Sequence, residues 1–530
     1  MSVRRRPPPI VARVRRLVAA LTGAAVLAGC TVGPSSRPDL AVHGGGAPVG
    51  PTTAPALPLG PGGPGREAQF VADWHSCDEL DAPVAGAGTF ETGCTRMLVP
   101  LDYDQPGGTD VVLQVARART PGLPADAPTL VVLDVDGPLE AALSATGRIA
   151  NLAAGLPATL TARYQIVTLD IRGTPASGGG TCWRDEPFQY LYTLAADQTA
   201  SDAGAGLLDV TRAFTFGCQD YIGPDMVFFG TTQAADDLDS LRAALGRDTL
   251  DLLGTGYGAT LGAVYADRYP GRIGRAALDS PTDHGRPPSE RAVSSATQYE
   301  RAVQAFYADC AAQPSCPLGA DPARAVTDAL TALDEADGFG DDLQPRSSAV
   351  LWAMVMALPD RGRWTDLADA VADAADGRPG TLTDLLDALL DEPRAAESAR
   401  MMIACNDSDE RLADSDLPVR FTDAATAAPT FGSFLVALSS LCRQWPTPDS
   451  PLTTLRAEGA APLLVIGGVD DPVAPYVGAE AVAGQLASAS LVSYQGPRHG
   501  GYGTSDCVTS AVDAYLLDGT LPAADTLCPA

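Results

Sequence analysis

One run constrains this chain's fold more than any other: Leu250-Asp251-Leu252-Leu253-Gly254-Thr255-Gly256-Tyr257-Gly258-Ala259-Thr260-Leu261-Gly262. A short apolar strand gives way to a helical run, and glycine stands at every second position of the junction: 254, 256 and 258. A chain that turns so sharply needs backbone angles and close approaches that a side chain would block. Strand, tight turn and helix form the repeating unit of a parallel sheet covered by helices on both faces. The neighbouring sequence agrees. Residues 130–133 and 166–169 are short buried strands, and 234–245 place Leu238, Leu241 and Leu245 on one helical face. Residues 96–103 predict a strand, Pro106-Gly107-Gly108 a turn, and 111–115 the returning strand.

Around residue 284 the pattern changes. From there to about 455 it is Ala/Leu/Asp/Arg-rich and helical, as in 301–312 and 323–333, with few strand signals. Short apolar strands resume at 462–466 and 490–494. A helical insertion between sheet strands is expected, lying over the carboxyl ends of the strands as a cap. The expected organisation is therefore a first core segment at 67–283, a helical cap at 284–455 and a second core segment at 456–530.

The N-terminus reads as an address. Six Arg within residues 4–16 precede an apolar run at 17–27 that is too short for a stable membrane span. Leu27-Ala28-Gly29-Cys30 is similar to a bacterial lipobox. Residues 1–29 are thus expected to be a cleaved signal peptide, Cys30 to be lipidated, and the Pro/Gly-rich residues 30–66 to be a disordered tether. Cysteine parity fits: of 11 Cys, lipidation of Cys30 leaves an even set. Sequential pairing would join Cys77 to Cys94, Cys182 to Cys218, Cys310 to Cys316, Cys405 to Cys442 and Cys507 to Cys528, as an oxidising compartment permits. Sequence alone does not fix that connectivity.

The chain contains no lysine and carries a formal charge of −29. Removing residues 1–29 takes away six Arg and no acid, leaving −35. Such a surface cannot supply the cationic phosphate contacts on which nucleic-acid binding depends, so no nucleic-acid partner is expected. It also repels anionic lipid, so only the acyl anchor would hold the chain at the outer face of the membrane. No metal-type Cys/His spacing is present, and no cofactor is expected.

The chemistry lies in three places taken in order. The turn at 254–258 matches Gly-x-Ser-x-Gly, the elbow that presents a nucleophile above a sheet, except that Gly256 stands where the pattern has Ser. Gly467-Gly468-Val469-Asp470-Asp471-Pro472 follows a strand and offers a carboxylate; Asp471 is the first choice and Asp470 the second. Gly496-Pro497-Arg498-His499-Gly500 follows the next strand and offers His499. Nucleophile, acid and His in that chain order are the arrangement of an α/β-hydrolase.

At this point the chain resembles the exported actinobacterial tripeptidyl aminopeptidases and proline iminopeptidase-like enzymes. The matching stretches are Val99-Pro100-Leu101-Asp102-Tyr103, Asp170-Ile171-Arg172-Gly173 and Asp236-Asp237-Leu238-Asp239-Ser240-Leu241-Arg242, with residues 258–270 and 275–279, and with Cys507, residues 515–522 and Cys528. The resemblance implies an α/β-hydrolase fold with a mostly parallel sheet and an inserted helical cap. It also implies release of short peptides from free N-termini through an acyl-enzyme, with oxyanion donors near Tyr257 and Gly137.

Three departures stand against that activity. Gly256 removes the nucleophile. The family's Gly-Gly-Pro-Gly-Gly turn reads Asp136-Gly137-Pro138-Leu139-Glu140, which puts negative charge where an oxyanion would develop. The family's Arg-Gly-x-Gly-x-Ser loop has Pro175 in place of its second Gly. A single substitution would account for position 256 but not for Asp136, Leu139 and Glu140. Thr255 is not aimed as an elbow residue is, and nothing in the sequence places Ser280 near His499. The expectation is a membrane-tethered pseudohydrolase that binds a peptide or small acyl ligand in a capped pocket. The alternative is an active exported peptidase or esterase with an unconventional nucleophile.

Overall fold

The computed structural model describes residues 69–70, 73–77, 90–134, 145–174, 177–179, 182, 194–199, 203–335, 346–389, 394–524 and 526–530. The calls at Cys30, the signal peptide, the tether, Gly137, Asp136, Leu139, Glu140 and Pro175 lie outside these residues.

The described strands are β1 (Gln69–Phe70), β2 (Glu91–Pro100), β3 (Asp110–Arg119), β4 (Thr129–Asp134), β5 (Gln165–Leu169), β6 (Leu250–Thr255), β7 (Ile273–Asp279), β8 (Leu463–Gly468), β9 (Ala489–Gln495) and β10 (Thr526–Pro529). They form one sheet in the order β1-β2-β3-β5-β4-β6-β7-β8-β9-β10. The β1–β2, β2–β3 and β3–β5 pairs are antiparallel, and the others are parallel. The strand order reverses at β4 and β6, the switch point where open α/β sheets gather their ligands at the strands' carboxyl ends.

Strand side chains alternate between two cores, as a pleated sheet requires. Val131, Leu133, Val167, Leu252 and Val465 face one core, shared with the helices Thr231–Ala244 and Tyr257–Arg268. Leu130, Val132, Ile166, Leu253 and Ile466 face the other, against the helices Ala145–Gly155 and Asp506–Asp518. Between β7 and β8 the chain leaves the sheet, and its described elements there are helical, including Pro288–Ala312, Pro322–Glu335, Arg394–Asn406 and Gly432–Ser439. The cysteines form the pairs Cys77–Cys94, Cys182–Cys218, Cys310–Cys316, Cys405–Cys442 and Cys507–Cys528.

The expected strand at 96–103 is a correction. β2 runs from Glu91 and stops at Pro100. There the Arg172 guanidinium takes the carbonyls of Pro100 and Leu101, and residues 101–103 turn away. The same guanidinium reaches both oxygens of Asp237, and Tyr103 donates its hydroxyl to Asp237 at 2.7 Å. Three of the stretches that carry the resemblance therefore meet in one buried ion pair. Their next neighbours join two helices: Asp236 accepts from Arg268 and Tyr269, and Asp239 pairs with Arg242 and Arg272.

Asp170, just past β5, is a second buried carboxylate. Its Oδ1 accepts from the Ala145 N–H at 2.5 Å, while Oδ2 has no hydrogen-bond partner among the described residues. Burial pushes its pKa up to about 6, against the pull of Arg148 and of that hydrogen bond. The folded pKa thus lies above the unfolded one, so this group's stabilisation is complete below about pH 4 and is lost as pH rises to about 6. Wild type should lose about 2–3 kcal/mol between pH 4 and 7 that Asp170→Asn retains. Urea titrations of both proteins at the two pH values measure the difference; parallel pH profiles would refute it.

Candidate active site

The turn after β6 has the geometry its glycines suggested. Gly256 caps the helix Tyr257–Arg268 with φ 53° and ψ −111°. Its N–H donates to the Asp279 carbonyl at 2.8 Å, and its own carbonyl accepts from Thr260 N at 3.0 Å. The flanking glycines permit close packing. A Cβ on Gly258 would sit 1.9 Å from the Leu133 carbonyl oxygen, and one on Gly254 would sit 2.4 Å from that of Gly258. The elbow is therefore built in full, at a residue that carries no side chain.

Asp471 lies on the loop after β8 and is fully buried. Its Oδ1 accepts from Val473 N at 2.9 Å and Ala474 N at 3.0 Å, which fixes the carboxylate. Its Oδ2 lies 2.7 Å from His499 Nδ1. Asp470 is exposed and takes no part. A buried carboxylate on Nδ1 orients the imidazole and stabilises its protonated form.

Sequence reasoning missed the part that joins the His loop to the elbow. Asp279, at the end of β7, holds Gly256 N with its carbonyl, and its Oδ2 accepts from Gly501 N and Tyr502 N, both at 2.8 Å. Burial pushes its carboxyl up, opposed by the Tyr502 N–H, His499 and the Gly501 N–H. A Cβ on Gly500 would lie 3.3 Å from Thr255 Cγ2, so the His loop rests directly against the residue before the elbow. Ser280 is drawn into the same cluster: it is buried, its φ is 58°, and its Oγ donates to Asp279 Oδ1 at 3.2 Å. That hydroxyl is committed to a carboxylate rather than presented as a nucleophile.

The helical insertion closes the other side. Asp407 accepts from Thr231 N at 2.8 Å and Thr231 Oγ1 at 2.6 Å, and that hydroxyl is 3.0 Å from Tyr257 Oη. Burial pushes Asp407 up to about 6 despite its bonds to Thr231 and the nearby Arg291. Tyr257, whose N–H follows the elbow, is raised by burial and then by Asp407. Near these groups, between insertion and core, lies a cavity of about 300 Å³, walled by Arg291, Met401 and Leu438 on one side and by Val473 and Pro475 of the acid loop on the other.

This geometry has relatives. Residues 428–528 match a family described as TAP-like protein. The chain is 30% identical over 522 residues to carboxylesterase B of Mycobacterium tuberculosis, covering 91% of this chain and 94% of that one. This chain belongs to the tripeptidyl aminopeptidase-like α/β-hydrolases. The serine protease Hip1 of M. tuberculosis is 29% identical over 487 residues, covering 86% of this chain and 90% of that protein. The tripeptidyl aminopeptidase of Streptomyces lividans is 25% identical over 488 residues, covering 87% of each. The mostly parallel sheet of an α/β-hydrolase is present among the described residues, and so is the hydrogen-bonded Asp471–His499 pair. No group of His, Cys, Asp and Glu among the described residues is arranged to hold a metal ion.

Proposed function

We propose that this α/β-hydrolase homologue is a pseudohydrolase that holds a peptide or acyl ligand in the pocket beneath its helical insertion without cleaving it. The observation that carries this reading is the elbow at Gly256: backbone geometry, acid and His stand in place around a residue with nothing to attack a carbonyl. Loss of a triad nucleophile costs on the order of 10⁶ in turnover. Asp136 and Glu140, beside the expected oxyanion donor Gly137, weaken the case for the residual catalysis that an intact oxyanion hole gives.

The expected leader at residues 1–29, followed directly by Cys30, supports reading the protein as an exported lipoprotein, and the five disulfides support an oxidising compartment. No described helix is long and apolar enough to cross a membrane. A lipid-attached chain would need none.

The retained Asp471–His499 pair is what favours the second reading, an active peptidase or esterase with another nucleophile. Incubating the purified wild type with a fluorophosphonate probe, a tripeptidyl p-nitroanilide and a p-nitrophenyl ester separates the two. The expected outcome is no labelling and no turnover that His499→Ala alters. Histidine-dependent hydrolysis by wild type would overturn the proposal.

A further inference from the structure

The cavity behind the acid loop has one feature that its apolar walls do not explain. Arg291, in the first turns of the helix Pro288–Ala312, forms part of its lining. Among the described residues only Nη1 of its guanidinium is engaged, with the carbonyls of Asp283 and Arg286 and with His284 Nδ1, each at 3.2–3.3 Å. Nε and Nη2 donate to no group among the described residues, and no described carboxylate lies within ion-pair distance of Arg291. The other charged groups on this wall are already matched. Arg286 pairs with Glu290 and reaches Ser294 Oγ, and Asp283 Oδ1 accepts from Gly285 N and Gln485 Nε2. Glu410 is held by Ser289, and Asp407 by Thr231.

A guanidinium presents parallel N–H donors in a planar fork, and the Nε/Nη2 edge matches the two oxygens of a carboxylate. Here that edge is left open, in a chain whose acidic residues outnumber its basic ones by 29. Burial draws the Arg291 pKa down even with Asp407, Asp283 and Glu410 nearby, so the desolvation of this cation is not fully offset by them. His284 behind it is held well below its usual range, by burial first and by Arg291 second, so it adds no further cation beside Arg291.

We infer that Arg291 is the receptor for the carboxylate of a small amphiphilic ligand whose apolar part fills the cavity against Met401, Leu438 and Val473. The inference rests on reading the pocket as a ligand site and supplies that ligand's chemistry: a free carboxylate on an apolar tail. A medium-chain fatty acid and the C-terminus of an apolar peptide both carry it. At about 300 Å³ the cavity lies at the small end of ligand sites and suits one tail or one to two side chains. It is lined by the loop that carries Asp471 but not by Gly256 or His499, so occupancy does not require an acyl-enzyme.

Calorimetric titration of the full purified chain with octanoate and 1-octanol, and with acetyl-dileucine as free acid and as amide, tests it. Within at least one pair the acid should bind about ten- to a hundredfold more tightly than its neutral counterpart, as a charge-assisted bidentate contact predicts. The preferred pair tells a fatty acid from a peptide end. Arg291→Gln should erase the preference for acid, and Arg291→Lys should keep a reduced part of it, with thermal melts checking that both variants fold. Leu438→Trp, which fills the cavity, should abolish binding of acid and neutral ligand alike. Equal binding of acid and neutral forms by wild type would overturn the role of Arg291 while leaving the pocket a ligand site. No binding of any of the four would overturn the inference and remove this cavity as the seat of the proposed function.

Discussion

Gly256→Ser should convert the protein from one that a fluorophosphonate probe does not label to one that it does. The physical case is that, among the described residues, the elbow backbone, Asp471 and His499 are in place and the hydroxyl is what is missing. The turn is pinned by the Asp279 carbonyl on one side and Thr260 on the other, and the helix behind it packs on β4 at Gly258. A serine forced to φ 53° and ψ −111° stores about 1–3 kcal/mol of backbone strain, which a turn held at so many points can carry. Labelling and ester turnover should rise by on the order of 10³ or more and should fall again when His499→Ala is added. The thermal midpoint should drop, since glycine holds this conformation without strain and serine does not. If the variant folds and stays unlabelled, the loss extends beyond position 256, and Asp136 and Glu140 are the next residues to change. If wild type labels too, the nucleophile lies elsewhere.

The sheet was legible because its central strands are covered on both faces and therefore read as short, mostly apolar runs: 130–133, 166–169 and 250–253 each fall within a strand, and 462–466 enters one at Leu463. The two chain-terminal strands were not. β1 has only two residues, and β10 pairs on one side only and ends in Pro529, so neither shows the alternation that marks a strand. The acid and the His were legible through chain order, because each occupies a loop directly after a strand. Asp279 was not, although its stretch was noticed. Its carboxylate acts on the backbone N–H of Gly501, 222 residues away, and a backbone donor leaves no trace in residue type. The same holds for Asp407, whose partner Thr231 lies 176 residues before it. Arg291 escaped for another reason. An arginine in an amphipathic helix is ordinarily a solvated one, and only the packing of the insertion on the core makes it a half-buried cation with an open edge.

Asp237→Ala should be among the most destabilising single changes in the molecule. Arg172 is fully buried and Asp237 is 1% exposed, with two nitrogen–oxygen contacts of 2.7 and 2.5 Å between them. Taking both charges out of water is expensive, so the pair itself need not add net stability. Removing one member is different, because among the described residues it leaves the buried guanidinium with only the carbonyls of Pro100, Leu101 and Phe228 as hydrogen-bond partners, beside the face of the Tyr103 ring. The expected loss is about 3–5 kcal/mol, read as a shift in urea midpoint. It should also leave the Tyr103 hydroxyl with Ser240 Oγ, 3.0 Å away, in place of its bond to Asp237, and so loosen the turn after β2. Replacing both residues with apolar side chains of similar volume should recover much of the loss, since then no lone charge remains. A stability loss below about 1 kcal/mol would mean that water or a rearranged carbonyl takes up the guanidinium, and that the shared stretches at 99–103, 170–173 and 236–242 are held together by something other than this pair.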